Sequence, residues 1–158
     1  MARDSAAIER PTLHIQRVFD VSRSLMWAAW TKPEMIVRWL GPVQWPAISH
    51  VSDFRVGGRW SATLQSIEGK GTYDQSGIYL EIVPQERLVF TFKWGEGHED
   101  GIPVDTQVTV ILSDIPGGGT LLDFTHAALK SGASAASHRH GWASTFDRLE
   151  HWLAEQRS

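Results

Sequence analysis

The sequence predicts an α+β domain in which a curved antiparallel sheet wraps one long C-terminal helix, in the order β-α-α-β-β-β-β-β-β-α. Three observations predict it. Short runs of alternating apolar residues, punctuated by Gly and Pro turns, recur from about residue 48 to 127. Near the end, Trp142, Phe146, Leu149 and Leu153 recur at i, i+4, i+7 and i+11, one apolar stripe of a helix over about 133–156. The chain has 158 residues, 42% hydrophobic and 21% charged, which suits one globular core. A domain of this size buries roughly 70% of its unfolded surface, enough to stand without metal or disulfide staples.

The elements follow in order. Leu13, Ile15, Phe19 and Val21 share a parity and mark a first strand near 12–21, with Arg17 the odd member of that face. Ser22 suits the N-cap of a short helix, Arg23 to Trp30. Pro33 opens a second short helix with Ile36, Trp39 and Leu40 on its apolar side, and Gly41-Pro42 ends it. Ile48 to Val56, Gly57-Gly58 and Arg59 to Gln65 read as a hairpin. A strand over about 72–83 stops at Pro84, and Glu86 to Trp94 alternates with Leu88, Phe90, Phe92 and Trp94 on one face. Residues 95–103 form a polar loop. Val104 to Leu112 alternates again, Pro116 to Gly119 turns the chain, and Thr120 to Ala127 is the last strand. No repeat or linker interrupts this order, so a single domain is expected over 12–156, with 1–11 as a short disordered leader.

Composition excludes several function classes. Fifteen Lys and Arg against eighteen Asp and Glu leave a formal charge of −3, with no basic surplus for a nucleic-acid backbone or an anionic membrane. With no cysteine, disulfides, thiolate zinc sites and cysteine nucleophiles are all out of reach. The polar N-terminus lacks the apolar core of a secretory signal. No apolar run approaches the roughly 20 residues that cross a bilayer, so a cytoplasmic location is expected. Phosphate-cradling glycine motifs are absent and no serine has a telling His/Asp partner, so neither a cofactor nor an enzyme mechanism is indicated. The unusual feature is eight tryptophans. A helix about 10 Å wide covers a curled sheet only partly and leaves a cavity at one end, and large rings suit the lining of such a cavity.

Several stretches in this order resemble a known family. They are Arg17-Val18-Phe19, Trp27 to Glu34 (WAAWTKPE), Arg38 to Pro42 (RWLGP), Asp53 to Trp60 (DFRVGGRW), Glu81 to Pro84 (EIVP), Glu86 to Thr91 (ERLVFT), Gly119-Thr120, Thr125-His126, and Gly141-Trp142 with Leu149. Together they are similar to the activator of heat-shock-protein-90 ATPase homologue-like proteins, of the START-like or SRPBCC superfamily, over about 12–153. The resemblance implies a helix-grip fold, with seven strands around the C-terminal helix and a deep hydrophobic pocket between them. It implies binding of apolar ligands, as in the superfamily at large. The eukaryotic chaperone activator carries this domain behind a second domain that contributes much of its chaperone binding. A chaperone partner is therefore the lesser expectation here.

Strand parity and helix phase place Trp39, Trp60, Tyr79, Phe90, Phe92, Trp94, Phe124, His126, His138 and Trp142 around the expected pocket. Trp27, Trp30 and Trp39 sit on the two short helices that plug one end, and Trp45 lies in a loop that could serve as a lid. His126 is either a polar anchor or acid/base group for a ligand, or a core histidine satisfied by hydrogen bonds. Gly141 inside a helix costs about 1 kcal/mol against alanine. Its reason is either close approach of a ligand at the pocket mouth or tight helix–sheet packing. His138 and His140 project about 200° apart on a helix and cannot share a metal, so no metal site is expected. His98, Glu99 and Asp100 could hold a cation, but they read rather as a solvated charged turn. Arg17 is expected to reach Asp147 or Glu150, Asp53 to pair with Arg55, and Asp147 to pair with His151; either arginine could instead anchor an acidic ligand. The expected function is binding of a small hydrophobic or aromatic ligand, with His126 and Tyr79 offering hydrogen bonds. A chaperone-interaction module and a cyclase- or hydrolase-like enzyme are the alternatives, and a homodimer through a sheet edge is a further expectation without a defined interface.

Overall fold

The computed structural model describes residues 10–95, 98 and 105–157. Most of the expected leader, most of the expected 95–103 loop (with Glu99 and Asp100) and Val104 lie outside the described residues. The elements are β1 (Leu13–Phe19), α1 (Arg23–Thr31), α2 (Pro33–Trp39), β2 (Ala47–Ser52), β3 (Arg59–Gln65), β4 (Thr72–Val83), β5 (Arg87–Trp94), β6 (Thr106–Asp114), β7 (Thr120–Ala127) and α3 (Gly132–Arg157). This is the predicted order. Strands β2 to β7 form an antiparallel meander, and β1 returns to pair with β7, giving one seven-stranded sheet ordered β1-β7-β6-β5-β4-β3-β2. The α+β helix-grip architecture follows from that topology with α3 laid across the concave face. Among the described residues, no helix is long and apolar enough to cross a membrane.

Local chemistry accounts for the ends of the elements. Ser22 caps α1 by accepting from the Leu25 amide at 3.1 Å, and Pro33 opens α2 where a missing N–H costs nothing. The β2 strand ends at Ser52, short of the expected Val56. The Asp53 amide closes the ladder on Arg59, after which the Arg55 amide turns back onto Asp53. Gly57 and Gly58 then bond to Tyr79 of β4, so the glycine pair belongs to a longer loop and is not a two-residue hairpin turn. In β4 the register jumps from Tyr79↔Phe90 to Glu81↔Val89. Leu80 is thus an extra, exposed residue, and inward parity passes from Tyr79 to Ile82.

The core lies between the sheet and the helices. Leu13 and Phe19 of β1, Val108, Val110 and Leu112 of β6, and Leu122 and Phe124 of β7 face Phe146, Leu149 and Leu153 of α3, all buried. On the edge of this seam Arg17 donates to both Asp147 and Glu150 at 2.7 Å, as expected. Asp147 is therefore committed to β1, while His151 pairs with Glu155 at 3.4 Å; the expected Asp147–His151 pair does not form.

Candidate functional site

The plug helices and the sheet do not close fully against α3. Residues 40–45, following α2, face one side of α3 across a groove whose floor is β4 and β5. Gly41 makes this turn possible: its φ is +91°, and a Cβ there would sit 2.3 Å from the Trp45 carbonyl. The Arg148 guanidinium fixes the loop by donating to the carbonyls of Trp39, Leu40 and Gly41 at 2.8–3.1 Å. A bond of 3.0 Å from the Val43 amide to Ser144 Oγ fastens its tip to α3.

The groove encloses about 410 Å³, within the range of small-molecule sites. Its rim is aromatic. Trp45 packs on Tyr73 at 4.8 Å between ring centroids, and Trp94 stacks on His98 at 4.0 Å. His98 thus belongs to the groove wall and not to a solvated turn. The α3 wall is Ser137, His138, His140, Gly141, Trp142, Ser144 and Thr145. A Cβ on Gly141 would meet nothing within 4 Å, so tight helix–sheet packing is not the reason for this glycine; the space beside it is groove.

Beyond the groove lies a small inner cavity of about 30 Å³, lined chiefly by rings. Leu40, Gln75, Phe92 and Trp142 line both spaces, so the two adjoin at these residues. Gly77 allows the inner wall to form. Trp60 Nε1 donates to the Thr91 carbonyl at 3.1 Å, and a Cβ on Gly77 would lie 2.5 Å from that nitrogen and 1.8 Å from the carbonyl oxygen.

The sequence-selected residues divide accordingly. Trp39, Trp60, Tyr79 and Phe90 line the inner cavity, Phe92 and Trp142 line both spaces, and Trp94 and His138 line the outer groove. Phe124 and His126 line neither: both are fully buried behind the wall, with the Trp142 ring 4.5 Å from Phe124. His126 Nδ1 accepts from Trp142 Nε1 at 3.0 Å, and its Nε2 faces Thr106 Oγ1 at 2.7 Å. Thr106 Oγ1 in turn donates to the Phe92 carbonyl at 2.7 Å. The indole N–H assigns Nδ1 as acceptor, so Nε2 carries the proton and donates to Thr106. Both ring nitrogens are thereby used inside the protein, so of the two readings of His126 the geometry fits the core histidine and not the ligand anchor. Burial, helped by nearby His138, pushes its pKa down to about 3. His138 makes a parallel contact: Nε2 accepts from Trp94 Nε1 at 2.9 Å while Nδ1 donates to the Ser134 carbonyl at 2.8 Å.

Five residues at the inner cavity lie outside the pocket expected from sequence: Ile36 and Leu40, which are apolar, and Trp30, His50 and Gln75. The last three each carry a buried polar atom without a partner in the protein, namely Trp30 Nε1, His50 Nδ1 and Gln75 Oε1. Parity with Tyr79 along β4 is the signal that turns Gln75 inward. His50 stacks on Trp60 with planes 6° apart, and burial pushes its pKa down to about 4. Trp27 packs outside the site, edge-on to Phe54 at 6.2 Å, and Trp152 is buried away from both spaces. Neither Arg17 nor Arg55 is presented to a ligand: Arg17 is held by its two carboxylates, and Arg55 is exposed and bonded to Asp53 at 2.8 Å. Among the described residues, no three His, Asp or Glu side chains are grouped to hold a metal, and His138 and His140 differ as their phase requires, one buried and one exposed.

The same architecture occurs in solved structures. The AHSA1 protein from Silicibacter pomeroyi superposes with a TM-score of 0.80 at 25% identity, over 92% of this chain and 99% of that one. A protein from Arthrobacter aurescens gives 0.78 at 23% identity, over 91% and 86%. The AHSA1-like protein from Aeromonas hydrophila gives 0.75 at 23%, over 92% and 94%. No curated protein matches the sequence. Residues 20–154, which span everything from the end of β1 to the last turns of α3, match the family described as Activator of Hsp90 ATPase homolog 1-like protein, and the chain belongs to that family.

Proposed function

We propose that this protein binds a small apolar or aromatic molecule in the groove between α3, the 40–45 loop and the β4–β5 floor. The observation that carries this reading is the open space beside Gly141. A glycine at mid-helix costs about 1 kcal/mol relative to alanine, and here no neighbouring atom explains it, whereas a ligand in the groove would. The wall is suited to such a guest: Trp45, Tyr73, Phe92, Trp94 and Trp142 supply ring faces, and no Asp, Glu, Lys or Arg is among the described lining residues.

Intrinsic emission tests the reading, because Trp30, Trp39, Trp45, Trp60, Trp94 and Trp142 all line the two spaces. Aromatic compounds of one to three rings are expected to quench or shift that emission saturably. Gly141→Leu should then weaken binding at least tenfold while the protein stays folded, since the new Cβ meets no atom within 4 Å. A screen in which no compound changes the emission, or a Gly141→Leu protein that binds as well as the parent, removes the proposal. The family match favours a second reading, a protein-interaction module acting on a chaperone ATPase. It requires a change in chaperone ATP turnover on addition of the protein, and a flat rate removes it. A cyclase- or hydrolase-like use of the pocket would need His126 free, and both of its ring nitrogens are engaged.

A further inference from the structure

Three of the unpartnered polar atoms belong to residues that line one place. Trp30 Nε1, His50 Nδ1 and Gln75 Oε1 belong to three elements far apart in sequence, α1, β2 and β4, yet all three residues line the one inner cavity. A fourth, Ser52 Oγ, lies beside the Tyr79 hydroxyl and is not part of the cavity wall. Buried polar groups in folded proteins are almost always hydrogen-bonded, and leaving one unpaired costs about 1–3 kcal/mol. Three on residues that border one small space suggest a common explanation. Their chemistry is mixed: the indole can only donate, the Gln75 oxygen accepts, and a neutral imidazole nitrogen does one or the other. Trp30 and Gln75 are each only 5% exposed, so bulk water does not serve them.

The cavity selects against charge. Its lining includes no Lys, Arg, Asp or Glu. Burial holds His50 near a pKa of about 4, so its ring is neutral at pH 7. A carboxylate tip would lie there with no counter-charge, at a cost of several kcal/mol. A purely apolar tip would leave the three polar atoms unpaired.

We infer that the inner cavity is the recognition end of the groove, and that it takes the uncharged polar tip of an otherwise apolar ligand, a group that both donates and accepts hydrogen bonds, such as a primary carboxamide. The volume of about 30 Å³ suits a tip of a few atoms, while the rings of the ligand lie in the larger groove. A carboxamide satisfies the donor Trp30 and the acceptor Gln75 together, and still does so if the Gln75 amide turns over. This inference rests on the groove being a ligand site.

Three probes of nearly one shape separate the possibilities: naphthalene-2-carboxamide, 2-isopropylnaphthalene and 2-naphthoate. Affinities measured by calorimetry at pH 7 should favour the carboxamide at least tenfold over each of the others. In Gln75→Met, which keeps the length of the side chain, and in His50→Phe, which keeps the ring stacked on Trp60, the margin over the isopropyl compound should fall to threefold or less. Affinity for 2-isopropylnaphthalene itself should stay within about threefold, which also shows that each variant has kept its groove. Equal affinity for carboxamide and isopropyl compounds in the parent protein overturns the inference and leaves the groove reading standing. So does tightest binding of 2-naphthoate, or a margin unchanged in both variants. If none of the three binds, the groove reading fails with the inference.

Discussion

At the scale of single residues, His126 shows what a buried polar group costs and what it holds. The run from Trp142 through His126 and Thr106 to the Phe92 carbonyl joins α3, β7, β6 and β5 by three short bonds. It works only with the imidazole neutral, because protonated Nδ1 would confront the indole N–H. The ordinary histidine pKa is 6.5, and burial places this one at about 3. Between those values the unfolded chain takes a proton that the folded one refuses. The stability contributed is thus complete above pH 6.5 and declines as pH falls toward 3, by about 1.4 kcal/mol per unit. His126→Gln should lower stability at pH 7 by about 1–3 kcal/mol, because one bond of the run is lost. It should also make the pH dependence of urea unfolding shallower by about 1.4 kcal/mol per unit between roughly pH 6 and 4.5. His50 titrates in the same direction in both proteins and cancels in the comparison. Parallel pH profiles for parent and variant would show that His126 is not the group resisting protonation.

At the scale of elements, the seven-residue α2 is too short to hold itself together by propensity alone. Arg148 of α3 supplies what it lacks. Its guanidinium collects the carbonyls of Trp39, Leu40 and Gly41 at the helix C-terminus, where a cation is favourable, and this aims the 40–45 loop across the groove. Arg148→Met is expected to cost about 1–3 kcal/mol and to speed amide exchange at Trp45 and Ala47, whose N–H groups bond within this turn. Exchange in the β6–β7 ladder should be unchanged. Uniformly faster exchange would mean that Arg148 serves the whole fold and not this loop. The sequence revealed the elements better than their junctions. Strands β3, β4 and β7 and the two short helices carry their own turn and cap residues, so their limits were visible locally. The end of β2 was not, because Gly57 and Gly58 are held by Tyr79, about twenty residues away, and no local pattern announces that partner. Parity likewise turned Phe124 and His126 inward correctly, but parity says which face a residue takes and not what lies on top of it. Trp142 lies on top of both. Gln75 and His50 escaped notice for the opposite reason: polar residues on strands read as solvent-facing until the sheet is curled around them.

At the scale of the whole molecule, the walls of the two spaces come from nearly every part of the chain. Trp30 belongs to α1, Ile36 and Trp39 to α2, His50 to β2, Trp60 to β3, Gln75 and Tyr79 to β4, Phe90 and Phe92 to β5, and Trp142 to α3. All of these but His50 and Gln75 belong to the hydrophobic core that includes residues of β1, β6 and β7. The inner cavity cannot open without disturbing that core, so the cavity and the fold should be lost together. Urea unfolding followed by indole emission and by far-ultraviolet circular dichroism should therefore superimpose. A ligand that binds only the folded state then stabilises it against global unfolding. A probe present at about one hundred times its Kd adds about 2.7 kcal/mol to stability. For a chain of this length, about 1 kcal/mol corresponds to roughly 2–4 °C in Tm, so a shift of about 5–11 °C is expected for any compound that fills the groove. Gly141→Leu, by weakening binding at least tenfold, should cut that shift to about half or less while raising the Tm of the free protein slightly, since leucine is the better helix former. Binding seen in emission with an unchanged Tm would place the compound at a surface indole, outside the groove, because a guest held by walls from so many elements must stabilise the assembly of all of them.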